Sequence, residues 1–333
     1  MPPLRTAFIG CGGIARAHAG TLAGLKDRVR MVGFCDIVRE RAQTFSDEYA
    51  QGAGLVFTDY AHMLDEVELD LVYVCLPPFA HGNEVELAAG RGAHIFIEKP
   101  IALNMEVANR MVTAVERAGV KSQVGFVLRF GEGVEAAKRA LESGEAGPPG
   151  LMIGKYMTNS LHSPWWRDRS RSGGQVVEQI IHVYDMARFL CGEARVVYGG
   201  MDNLFHRHVA DYTVEDVAAA VIHFDSGAWA TISSTNFAVP NQWVSQWDLL
   251  TKNRTMRFDN ANSAVFHHTD LGYARTTTIS SDRNMNLAQT LDLLNAIDTG
   301  GKTRTPMSEG AKSLALVLGV AESAETGKPV SLG

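Results

Sequence analysis

Short apolar runs alternate with amphipathic stretches through the first third of the chain. Runs at 6–9, 31–35, 71–75, 94–97 and 121–126, and a weaker one at 55–57, read as strands. The stretches 14–25, 38–49, 83–89 and 105–118 read as helices, the last repeating Val107, Met111 and Val115 at the i, i+4 spacing of one helix face. This alternation predicts an α/β domain with a doubly wound parallel sheet. After about residue 126 the rhythm changes. Gly147-Pro148-Pro149-Gly150 breaks the chain, and longer strand-like runs follow at 151–158, 195–201, 217–225, 228–235 and 247–250. Asp225-Ser226-Gly227 reads as a hairpin turn. Helices are predicted at 176–190, closed by Gly192, and at 287–297 and 311–325. The pattern divides the chain into domains 1–126 and 127–333, the second an α+β domain with a mainly antiparallel sheet.

The length of 333 residues gives each domain enough material for a core. Net charge is −6 with no block of lysine or arginine, which argues against a nucleic-acid or anionic-membrane partner. No run of about 18 apolar residues exists to span a membrane, and Met-Pro-Pro-Leu-Arg leads into a strand pattern without a signal peptide. Cys11, Cys35, Cys75 and Cys191 are widely spaced and read as reduced thiols, not a disulfide frame or metal site. A cytoplasmic protein is expected.

Directly after the first strand comes Gly10-Cys11-Gly12-Gly13-Ile14-Ala15, a G-x-G-x-x-A turn. Gly10 permits the tight turn, Gly12 lets the backbone approach a pyrophosphate, and Gly13 and Ile14 open a helix whose N-terminus faces the anion. Asp36 ends the second strand, roughly twenty residues on, where a carboxylate accepts from ribose hydroxyls and repels a 2′-phosphate. These features predict a Rossmann domain that binds NAD in preference to NADP, although Arg39 and Arg41 lie close by. Pro77 and Pro78 stiffen the loop after the fourth strand, and His81 reads as structural or cofactor-contacting.

The run His94-Ile95-Phe96-Ile97-Glu98-Lys99-Pro100 is a buried strand that ends in a charged pair and is stopped by proline. Glu98 and Lys99 therefore stand at the carboxyl edge of the sheet, where ligands bind in open α/β folds. In the second domain, Gln175, Glu178, His182 and Asp185 are spaced i, i+3, i+7, i+10, so one helix would carry them on one face. They form either a solvated stripe with a Glu178–His182 pair or a catalytic face; a buried helix with this many ionisable groups favours the second. Just upstream, His162-Ser163-Pro164-Trp165-Trp166-Arg167 combines flat aromatic surfaces with hydrogen-bond donors and suits a polyhydroxylated ligand, while the adjacent tryptophans equally suit a core anchor.

Together these motifs resemble the Gfo/Idh/MocA oxidoreductases, the family of glucose-fructose oxidoreductase and inositol dehydrogenase. The resemblance runs from Gly10–Ala15 through Pro77–His81, Glu98–Pro100 and 173–185 to Thr326-Gly327-Lys328-Pro329-Val330. It implies that the second domain carries a large open sheet serving as the interface of a homodimer or homotetramer. The helix at 311–325 is expected to pack back on the first domain. The resemblance also implies catalytic roles for Lys99 and His182, with Glu178 where many members have aspartate, and Glu98 beside the cofactor. Gln175 stands where many have a small residue. A cis peptide before Pro100 is suggested by the resemblance and left open by the residues. The reaction implied is NAD-dependent hydride transfer with a secondary alcohol of a sugar, polyol or inositol, or sugar acid. His182 would take the hydroxyl proton, Lys99 would stabilise the developing alkoxide, Trp165, Trp166, Arg167 and Gln175 would hold substrate, and Asp185 would hydrogen-bond substrate or cap a network. Two alternatives stand beside it: an NAD-dependent glycosidase using transient redox, and a non-enzymatic NAD-binding sensor.

Overall fold

The apolar runs of the first third become one parallel sheet. In the computed structural model, which describes residues 2–270 and 272–332, the strands are β1 Leu4–Ile9, β2 Val29–Cys35, β3 Leu55–Phe57, β4 Leu71–Val74, β5 His94–Ile97 and β6 Ser122–Val124. Met1, Leu271 and Gly333 lie outside the described residues. Helices α1 Gly13–Ala23, α2 Arg39–Ala50, α3 Tyr60–Glu66, α4 Glu84–Gly90 and α5 Met105–Ala118 connect them. The sheet order is β3-β2-β1-β4-β5-β6, so the chain reverses its direction of travel between β1 and β4, the switch point at which α/β folds bind ligands. Phe8, Phe34, Tyr73 and Phe96 pack as neighbouring rings in the core, with Tyr73 and Phe96 centroids 4.6 Å apart. Each buried ring contributes roughly 1.5–3 kcal/mol. Helix α3, which the hydrophobic pattern does not reveal, is only 7 residues long and is started by Asp59 accepting from His62 N.

The second half begins with α6 Glu132–Glu142 and β7 Pro149–Met157. Four short or medium helices follow: α7 Pro164–Arg167, α8 Arg169–Ser172, α9 Gln175–Glu178 and α10 Ile181–Cys191. Next come β8 Ala194–Asp202, β9 Val217–Phe224, β10 Trp229–Thr235, β11 Val244–Thr251, β12 Arg254–Asn260, β13 Ser263–His268 and β14 Arg275–Ile279. Strands β12 to β14 extend the sheet beyond the strands read from the sequence. Strands β12 and β14 are largely polar or exposed, as in the exposed Arg275–Thr278 of β14, and β13 has only the three-residue apolar run Ala264-Val265-Phe266, so they carry little apolar signal. All pairings are antiparallel except β7 with β10.

The chain ends with α11 Met285–Thr299, α12 Met307–Thr326 and β15 Val330–Ser331; β15 pairs with β8 and completes the order β14-β13-β12-β11-β7-β10-β9-β8-β15. Two compact units result: Met1–Gly125 with Asn286–Ala311, and Phe126–Met285 with Lys312–Gly333. The segment Asn286–Ala311, read from sequence with the second half, joins the first unit for a physical reason. Leu293 and Leu294 are fully buried in its core, and Val124 N donates to Thr305 O at 2.7 Å, covering the open edge of β6.

Candidate active site

The carboxyl edge of the parallel sheet is built from backbone. Gly10 has φ +88°, and a Cβ there would lie 2.4 Å from Cys75 O, so glycine is required both for conformation and for space. A Cβ on Gly12 or Gly13 would meet nothing within 4 Å, which leaves that stretch of backbone approachable. Gly12 starts α1 without a side-chain cap, so the first N–H groups of the helix have no side-chain acceptor supplied by that residue. Asp36 follows β2, and its carboxylate accepts from Cys11 N and Val38 N, both at 2.9 Å, which ties it to the glycine turn. Ile14, Ile37 and Phe79 are apolar yet 46%, 89% and 37% exposed at the same edge.

After β4, His81 Nδ1 lies 2.6 Å from Glu84 Oε1, and Gly82 N donates to Glu84 Oε2 at 2.7 Å. Burial raises the Glu84 pKa, but the His81 partner and the Gly82 N–H outweigh it and hold the carboxyl below its usual range. The pair gives His81 a structural partner. Burial pushes the Cys35 thiol up to about 12 and Cys11 and Cys75 further, so all three stay protonated and unreactive. Glu98 and Lys99 follow β5, and the Lys99–Pro100 peptide is cis. Glu98 is buried and its Oε1 lies 2.7 Å from His18 Nε2 of α1.

The second unit holds the polar stripe, but not on one helix. Helix α9 ends at Glu178 and α10 begins at Ile181, while Ile180 N reaches back to Gln175 O and Val183 N bonds Ile180 O. The β-branched Val176, Val177, Ile180, Ile181 and Val183 are all buried; they disfavour an unbroken helix and pack on every side instead of one face. The segment is pinned at its start by Glu215, which accepts from Val176 N at 2.7 Å and from Arg169 Nη2 at 2.8 Å. Gly174, at φ +98°, leaves no room for a Cβ beside that carboxylate. Burial raises the Glu215 pKa, opposed by Arg169 and the backbone donors.

The break separates the fates of the stripe residues. Asp185, expected to hold substrate, is 1% exposed and accepts both Arg129 Nε at 2.8 Å and Nη2 at 2.7 Å, with Ser313 Oγ at 2.7 Å. A carboxylate gripped bidentately in the core is structural, and this corrects its assignment. Gln175 is fully buried, and neither its amide oxygen nor its nitrogen has a hydrogen-bond partner among the described residues. Such orphans are costly and mark a place for water or a ligand hydroxyl. His182 is half-buried with its ring edge-on to Phe126 at 6.3 Å.

Upstream, Trp166 is a buried anchor whose indole N–H donates to Glu178 Oε2 at 2.9 Å, and Trp165 packs against the same small cluster. Arg167 Nε donates to Leu161 O at 2.8 Å and Nη2 to His162 O at 3.0 Å, so its guanidinium holds a loop and is not offered to substrate. That loop places His162 at φ +52°, an uncommon backbone conformation for histidine. Its ring meets Gln179 Nε2 at 2.7 Å and lies against Trp166 and Trp243, with Trp243 59% exposed. Sequence reasoning placed His162 in a ligand-suited set but missed Gln179, Trp243, Arg129 and Glu215. Only their chemistry was visible; their meeting is made by loops and strands far apart in the chain. Among the described residues, no group of three or more His, Cys, Asp or Glu could hold a metal ion, and no helix is long and apolar enough to cross a membrane.

Residues 4–126 match the family described as oxidoreductase family, NAD-binding Rossmann fold, and residues 134–254 match the GFO/IDH/MocA C-terminal domain. The chain is 31% identical over 233 residues to scyllo-inositol 2-dehydrogenase (NAD(+)) of Bacillus subtilis (strain 168), covering 70% of this chain and 67% of that protein. It is 29% identical over 238 residues to myo-inositol 2-dehydrogenase of Thermotoga maritima, covering 71% of this chain and 70% of that protein. Among solved structures, levoglucosan dehydrogenase in complex with NADH and L-sorbose matches with a TM-score of 0.91 over 100% of both chains at 20% identity, a likeness of fold.

Proposed function

Because the chain belongs to the Gfo/Idh/MocA family of NAD-binding oxidoreductases, we propose that it transfers hydride reversibly between a nicotinamide and a secondary alcohol of a sugar, polyol or inositol, or sugar acid. One observation carries this reading. The open glycine turn, Asp36 and Lys99 follow β1, β2 and β5 at the same edge of one parallel sheet.

The residues at this edge fit NAD. Backbone at Gly12 and Gly13 is free of neighbours where a pyrophosphate would approach the start of α1. Asp36 makes two backbone hydrogen bonds, yet two carboxylate oxygens offer about four acceptor sites, which leaves capacity for ribose hydroxyls. Its charge disfavours a 2′-phosphate, hence NAD over NADP. Exposed Ile37 offers apolar surface to the adenine. When bound, the nicotinamide supplies the hydride acceptor or donor at C4.

The rest of the chemistry belongs to side chains of this chain. Lys99 donates a hydrogen bond to the substrate oxygen and stabilises negative charge there. His182 takes the hydroxyl proton, general-base work for which an imidazole is suited. Glu178, fixed on one oxygen by the Trp166 indole, acts as an orienting or proton-accepting partner. Gln175 supplies amide hydrogen bonds to substrate hydroxyls, and His162 with Trp243 supplies flat aromatic surface against a ring.

The exposed face of the second sheet supports an oligomer as part of this reading. Ile153, Thr231, Val221 and Tyr198 pair in register across β7, β10, β9 and β8, and all four are exposed. A mostly apolar row of this kind suits a homodimer or homotetramer, which light scattering on wild type and Ile153→Asp would test.

The decisive experiment is a panel of inositols, sugars and sugar acids incubated with NAD and followed as NADH absorbance. Turnover on at least one polyol or sugar is expected. Tight NAD binding with no turnover across the panel would favour a sensor. Free sugar released from glycosides without NADH accumulation would favour redox-assisted glycoside cleavage.

A further inference from the structure

His18 lies on the inward face of α1, the helix opened by the glycine turn, and is completely buried. Its ring packs 4.5 Å from Phe96 and 5.5 Å from Tyr73, centroid to centroid. Nδ1 has no hydrogen-bond partner among the described residues, while Nε2 lies 2.7 Å from Glu98 Oε1. The tautomer that fits carries its proton on Nε2 and donates it to Glu98, because a proton on Nδ1 would be a buried donor without an acceptor.

The other end of the Glu98 carboxyl is equally constrained. Oε2 accepts from the backbone N–H of Lys99 at 3.2 Å, and a Cβ on Gly125 would lie 2.8 Å from both carboxylate oxygens. Two hydrogen bonds thus run from His18 through Glu98 to the Lys99 backbone, with Gly125 as the wall that keeps the carboxyl in place. A histidine buried in an apolar core brings a desolvation cost that a phenylalanine or leucine would avoid.

We propose that His18 is a positioning residue for Lys99: it fixes the Glu98 carboxyl, which in turn fixes the lysine where the strand ends. The proposal rests on the catalytic role given to Lys99 above. A displacement of about 1 Å at a reacting group costs up to roughly 100-fold in rate, so a clamp at this point has a large effect without touching substrate.

The test uses the full chain and its best substrate from the panel. In His18→Leu, kcat is expected to fall about 10- to 100-fold, with KM for NAD little changed. His18→Gln, whose terminal amide N–H can reach the same carboxyl oxygen, should recover most of that loss. Gly125→Ala, which displaces the carboxyl and leaves His18 intact, should reproduce the kcat loss even if His18→Leu proves too unstable to measure. Added to Lys99→Ala, His18→Leu should cost nothing further, the non-additivity expected when one residue acts through another. Equal losses in His18→Leu and His18→Gln, additive losses with Lys99→Ala, or an effect on KM alone would overturn the proposal. If Lys99→Ala itself retains turnover, it is the catalytic reading of Lys99 that fails.

Discussion

The two units present their chemistry in different ways. In the first, the proposed binding surface is mostly backbone: a left-handed Gly10, open Gly12 and Gly13, and a carboxylate tied to backbone N–H groups. In the second, it is side chains on a broken helix, held by Glu215 from 39 residues away and by a loop that Arg167 grips through its carbonyls. Backbone sites demand particular residue types at fixed spacing. Side-chain sites demand only that distant groups meet, and many sequences achieve that. The difference sets what each variant below should do.

The largest effects should come from the proposed reacting groups. Lys99→Ala and His182→Ala are each expected to lower kcat by roughly 100- to 10,000-fold. NAD binding, measured by fluorescence or calorimetry, should survive in both, because the backbone site is untouched. Near wild-type turnover in either would remove that residue from the mechanism.

Asp185 separates a structural from a catalytic residue within the same helical segment. Its removal leaves the buried Arg129 guanidinium without its bidentate partner, so Asp185→Ala should cost about 3–5 kcal/mol of stability in denaturant unfolding. Turnover per folded molecule should fall far less than in His182→Ala. A stable Asp185→Ala protein with no turnover would return this residue to the substrate site.

The contrast also explains what was legible from the sequence. The glycine turn, Asp36 and the Glu98-Lys99 strand end could be read because each is a local pattern: strand, turn, then helix, or strand then proline. The strands β1, β2, β4 and β5 were visible for the same reason, each being a short apolar run, while the half-exposed β3 gave a weaker signal and β6 showed only through its apolar flanks. The helical stripe was misread because its spacing fits a continuous helix, and the β-branched Val176, Val177, Ile180, Ile181 and Val183 that weaken a helix there also look like its apolar faces. Asp185 looked like a ligand because Arg129 and Ser313, its partners, lie 56 and 128 residues away. His18 was passed over for the same reason, being 80 residues from Glu98.

Asp36 is the sharper probe of the backbone site. Asp36→Ala removes a charged acceptor from ribose and also from Cys11 N and Val38 N. Loss of a hydrogen bond to a charged group is worth about 1.5–3 kcal/mol, so NAD affinity should weaken roughly 10- to 100-fold. The preference against NADP should narrow at the same time. Titrating both nucleotides against the variant checks this, and an unchanged NAD/NADP ratio would mean that Asp36 only braces the glycine turn.

The smallest expected effect is a pH dependence peculiar to the side-chain site. Burial lowers the His162 pKa, the Glu178 carboxylate raises it and Arg167 lowers it again, with a net fall below its ordinary value. A histidine held neutral in the folded state stabilises the fold fully above the unfolded pKa of about 6.5 and progressively less as the pH falls toward the folded value. Protonating the ring also disturbs its packing on Trp166 and its hydrogen bond with Gln179. Substrate KM should therefore rise a few-fold only as the pH falls through the lowered folded-state pKa, below the ordinary value of about 6.5, while NAD affinity, proposed to rest on the glycines and Asp36, stays level over the same range. His162→Gln keeps a polar group at that position but cannot titrate, so its KM should be flat across this window. If the wild-type rise persists in His162→Gln, the titrating group lies elsewhere and the loop is only a wall.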